Sequence, residues 1–95
     1  MEDTGPSDLT FSGFVLSLAS TAAVHFGDLP DPSTGQKGEP DLDAASRVIE
    51  LLAMLQTKTK GNLIEPEERL LDDLLYELRL RFVQARQNDK RIIEP

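Results

Sequence analysis

The stretch from Gly27 to Pro40 does most to limit what this chain can fold into. Its fourteen residues hold three of the chain's six glycines and three of its six prolines. Proline fixes φ and removes an N–H, so no helix runs through Pro30, Pro32 and Pro40. The sequence is therefore cut into a first block ending near Phe26 and a second starting near Asp41. Within the stretch, Ser33-Thr34-Gly35 reads as a turn. A connection this long without elements of its own is uncommon in a compact domain and is expected to be functional or mobile. It is also long enough to let the first block reach a neighbouring chain.

Both blocks carry helical periodicity. In the first, Phe11, Phe14, Val15, Leu18, Ala22 and Phe26 recur on one face, which predicts a helix from about Leu9 to Phe26 capped by Ser7 or Asp8. Gly13, Ser17 and Thr21 form a second stripe of small residues, and Gly27 is a natural stop in the left-handed conformation. In the second block, Asp41 stands at an N-cap position. Ala45, Val48, Ile49, Leu52 and Leu55 then predict a helix over Leu42–Thr59, with Leu51 and Met54 widening its apolar arc. Gly61-Asn62 ends it. Leu71, Leu74, Leu75, Leu78, Phe82 and Val83 predict a third helix from Glu65 to Gln87, with Pro66 in its first turn. Glu65–Arg69 and Glu77–Arg81 are spaced for i,i+4 ion pairs. The connector Leu63–Glu65 is short, so the second and third helices form an antiparallel hairpin.

The expected fold is all-α: three helices, the last two a hairpin, the first joined by the long Pro/Gly-rich loop. Residues 1–8 read as a mobile polar arm, 9–87 as a single helical domain and 88–95 as a frayed tail.

Composition narrows the function classes. With 95 residues the chain makes one domain, and a core this small often needs a disulfide, a metal or a partner subunit. There is no cysteine, so disulfides, thiolate metal sites and thiol nucleophiles are excluded, and a cytoplasmic setting is expected. One histidine excludes a site built on several imidazoles. The formal net charge of −7 argues against the whole chain coating nucleic acid or an anionic membrane. That charge is bipolar. Met1 to Leu78 carries 15 acids against five bases, whereas Arg79 to Pro95 carries five bases, Arg79, Arg81, Arg86, Lys90 and Arg91, against two acids. Leu9 to Phe26 holds no lysine, arginine or acidic residue. However, it is short and hydroxyl-rich for a membrane span, and no basic residue precedes it as a secretory signal requires.

Chemistry-bearing patterns are sparse. His25, Asp28 and Asp31 offer one nitrogen and two carboxylates to a metal, but the run crosses a helix end and a proline-rich loop that fixes no geometry. A structural role is expected instead: His25 at a helix terminus, the aspartates in turns. Ser12, Ser17 and Ser20 lie in no nucleophile elbow. Lys60-Gly61 ends a helix where a phosphate loop would start one.

The run from Phe11 to Gly35, F-S-G-F-V-L-S-L-A-S-T-A-A-V-H-F-G-D-L-P-D-P-S-T-G, resembles the opening of a family of short bacterial proteins, domain of unknown function 1844. Ala45 to Leu63, with T-K-G-N-L at its end, and Glu67 to Val83 are similar to that family's helical portion. Ile64-Glu65-Pro66 departs from it, standing where the family has a hydroxyl residue and acids. The resemblance implies a bacterial origin and supplies no catalytic residues or cofactor.

The function expected from the sequence is a non-enzymatic interaction module that self-associates, with an unidentified protein partner as a further possibility. Its candidate contact residues are Phe11, Gly13, Phe14, Ser17, Thr21, His25, Asp28 and Asp31. No cofactor, membrane or nucleic-acid partner is expected. Two alternatives are a metal or enzymatic role at His25 to Asp31, and an anion or nucleic-acid contact through the basic end of the third helix.

Overall fold

The computed structural model describes the backbone of residues 9–93 and the side chains of residues 9–88. The expected arm, with the candidate caps Ser7 and Asp8, lies outside the described residues. Those residues form three helices and no strand: α1 (Phe11–His25), α2 (Leu42–Lys58) and α3 (Glu65–Ile93). Each helix packs against both others, so α1 covers its own chain's hairpin.

Helix ends follow from local chemistry. The cap of α1 is Thr10, whose hydroxyl accepts the Gly13 N–H at 2.9 Å and satisfies one donor left free at the helix start. At the far end, Gly27 N–H donates to Val24 C=O and Asp28 N–H to Ala23 C=O, both at 2.9 Å. That is the paired bonding of a Schellman stop, with Gly27 at φ +83°. Asp41 caps α2 as expected, accepting from Ala44 N–H. The α2 end is closed by Thr59, whose hydroxyl donates to Leu55 C=O at 2.6 Å.

At the start of α3 no hydroxyl is present, and Glu67 does the capping from inside. Its carboxylate accepts the Ile64 N–H at 3.0 Å, while Ile64 C=O takes the Glu67 and Glu68 N–H groups. At its other end α3 runs past Gln87 to Ile93, so the stretch expected to fray from Asn88 is helical that far. No glycine or proline stands between Gln87 and Ile93 to stop it.

The core lies where the three helices meet. Val15, Ala22 and Phe26 enter it from α1 and its cap, Ala45, Val48, Ile49 and Leu52 from α2, and Leu71, Leu75 and Leu78 from α3. Phe11, Leu18, Leu55, Leu74 and Phe82 pack around its edge. Four residues expected on apolar faces turn outward: Phe14, Leu51, Met54 and Val83 are all exposed. A single chain of three helices offers each helix only a narrow buried arc, and these side chains fall outside it.

Candidate functional site

The run His25 to Pro32 builds an anchor that ties the end of α1 to α3. Phe26 fills the core at 2% exposure. The Arg81 guanidinium lies 5.1 Å above its ring, so the cation faces the negative face of the π system. The same guanidinium grips Asp28 with a planar fork, Nε to Oδ2 and Nη2 to Oδ1, each at 2.8 Å. Arg81 holds the Asp28 carboxyl below the usual carboxylate range, chiefly through this hydrogen bonding, and Asp28 raises Arg81 in return. Arg81 therefore serves Asp28, 53 positions away, and the expected helical partner Glu77 is bypassed.

The connection itself is closed by hydrogen bonds. Asp41 N–H donates to His25 C=O at 2.7 Å, bringing the end of α1 and the start of α2 together. The Asp31 carboxylate accepts from Ser33 N–H at 2.8 Å and Ser33 Oγ at 2.7 Å, an Asx-turn that pulls its own pKa down. Thr34 and Gly35 N–H donate to Asp31 C=O, and Asp31 N–H donates to Gln36 C=O. Gly27 is required here twice over. Its φ is left-handed, and a Cβ would sit 3.2 Å from Gly38 C=O and 3.6 Å from Pro40.

These bonds commit the carboxylates of the metal reading. Asp28 is held by Arg81 and Asp31 by Ser33, with His25 half-buried in the last turn of α1. Among the described residues no group of three or more histidine, cysteine or acidic side chains is placed to hold a metal ion. The basic end of α3 is likewise partly spent: Arg81 belongs to Asp28, and Arg86 lies over Phe82 at 5.8 Å. The side chains of Lys90 and Arg91 lie outside the described residues.

The eight candidate contact residues divide. Phe11 turns inward against the core. Gly13, Phe14, Ser17 and Thr21 face solvent on the outer side of α1, with Phe14 53% exposed. The Thr21 hydroxyl is turned onto its own helix, donating to Ser17 C=O at 3.1 Å. His25, Asp28 and Asp31 belong to the anchor and its loop.

A second outward apolar stripe lies on α3. Tyr76, Leu80 and Val83 stand at i, i+4 and i+7, and they are 69%, 47% and 49% exposed. The spacing was visible in the sequence, hidden behind the stronger core stripe of the same helix. Beside it runs a shallow furrow of about 320 Å³ between α3 and Gln56 of α2. Gln56 lines it and donates to Asp72 Oδ1 at 2.6 Å. Among the described residues no helix is long and apolar enough to cross a membrane.

Fold and surface together define an all-α, three-helix domain whose most distinctive sequence run is a structural anchor. A family model for a domain of unknown function, DUF1844, matches residues 8–84. The chain belongs to that family, and the match takes in α1, the anchored connection, α2 and most of α3. No curated protein and no solved structure matches the chain.

Proposed function

We propose that this protein is a non-enzymatic interaction module of the bacterial cytoplasm and that it self-associates. The observation that carries the reading is the balance of apolar side chains. Among the described residues ten hydrophobic side chains are buried and ten large ones are exposed, including Phe14 and Leu16 on α1 and Tyr76, Leu80 and Val83 on α3. Scattered exposed hydrophobes are ordinary, but here several share a helix face, and faces of that kind belong in contacts. No disulfide staples so small a core, and a second subunit is one source of further burial.

Thermal unfolding at several protein concentrations tests this. Association with the folded state alone makes the melting temperature rise with concentration. A melting temperature that stays flat over a roughly hundredfold range of concentration contradicts the proposal.

A further inference from the structure

The outer stripe of α3 sits where the helix changes sign. Before it come Glu65, Glu67, Glu68, Asp72, Asp73 and Glu77 against the single base Arg69. From Arg79 onward the helix carries Arg79, Arg81, Arg86, Lys90 and Arg91 against the single acid Asp89, with Arg81 already held by Asp28. Tyr76, Leu80 and Val83 straddle that crossover and face solvent. Arg79 borders the same furrow, and among the described residues it forms no ion pair within the chain.

We infer that this stripe is the two-fold contact of a homodimer in which two α3 helices pack antiparallel about a point between Arg79 and Leu80. The inference rests on the self-association proposed above and names its surface. Antiparallel packing about that point sets Tyr76 of one copy against Val83 of the other. It also lays each acidic half along the other copy's basic half, with Asp72 within one turn of Arg86. Parallel packing would stack like charge on like along the whole helix, which is unfavourable. The pattern is self-complementary: acids and bases occur on one helix in an order that matches its own reversal. A second copy satisfies both halves, whereas a partner of one sign, such as nucleic acid, satisfies only the basic half. An isologous contact of this kind closes on itself and gives a dimer. The outer face of α1 has no such code, because it is uncharged.

The absence of cysteine makes the test clean, since one introduced thiol is the only one to label. Spin labels on Glu77→Cys and on Glu68→Cys are compared by pulsed electron resonance of the full chain. Two antiparallel helices separate by about 3 Å along the axis for each residue away from the two-fold point. The Glu68 pair is therefore longer than the Glu77 pair by about 25 Å. Short, equal distances at both positions mean parallel helices and overturn the inference. Leu80→Glu raises the dissociation constant at least about tenfold, with an unchanged helical spectrum because Leu80 is not part of the core. Asp72→Arg weakens the dimer, and adding Arg86→Asp restores it. A dimer that ignores Leu80→Glu and falls apart with Phe14→Lys overturns this contact and leaves self-association standing. A wild-type chain that is monomeric overturns both.

Discussion

Phe14 on α1 and Leu80 on α3 are exposed to similar degrees, 53% and 47%. Their surroundings differ. Phe14 sits among Gly13, Ser17 and Thr21, with no charge on its helix before His25. Leu80 sits between an acidic and a basic half-helix. Apolar exposure alone makes a surface adhesive, whereas the charges beside it decide what adheres and in which direction. The α1 face is apolar with no flanking charge, and the α3 face has charges of both signs beside it.

The largest effect comes from cutting the inner attachment of α1, which both outer faces depend on. Phe26→Ala removes a ring that is 2% exposed and the surface beneath Arg81, and costs about 3–5 kcal/mol in denaturant unfolding. A loss below about 1 kcal/mol would show that α1 is not held by its own chain. Next is the start of α1: Thr10→Ala leaves the Gly13 N–H without its acceptor and costs about 1 kcal/mol.

Arg81→Gln breaks the fork to Asp28 and costs less, about 0.2–1 kcal/mol, because both side chains are partly exposed. This effect carries a pH signature. Arg81 holds the folded-state pKa of Asp28 below its ordinary 3.8, so the pair's contribution is complete above that value and is lost as the pH falls through it. The stability gap between wild type and Arg81→Gln therefore narrows below about pH 4. A gap that persists in acid would place the effect in the stacking on Phe26 and not in the ion pair. The smallest expected effect separates the two outer faces: Phe14→Lys leaves the dimer's dissociation constant unchanged within about twofold.

Parts of this were legible in the sequence for physical reasons. The start of α2 was marked by Asp41, a good cap, and its body by an unbroken apolar repeat beginning at Ala45. The stop at Gly27 was legible because only a residue without Cβ takes that conformation easily. Phe14 was misplaced onto the core face because α1 lacks charged residues, so its sequence offers no polar contrast to orient it. The cap is Thr10, not the expected Ser7 or Asp8, because α1 starts at Phe11, two residues after the expected Leu9. The end of α3 at Ile93 lies beyond the expected Gln87 because a terminal tail is expected to fray, yet no glycine or proline there breaks the backbone. The anchor was least visible. Asp28 and Arg81 are 53 positions apart, and a local i,i+4 partner, Glu77, offered itself first. Around His25 the expected turn and helix-end roles are met: Asp31 accepts from Ser33, and Asp28 pairs with Arg81.

The central claim, that this domain is completed by a second copy of itself, is tested most directly by its mass in solution. Light scattering on the full chain, eluting at tens of micromolar, is predicted to give about twice the 10.5 kDa of one chain, falling toward one chain on dilution. A constant 10.5 kDa up to about millimolar concentration would contradict the account.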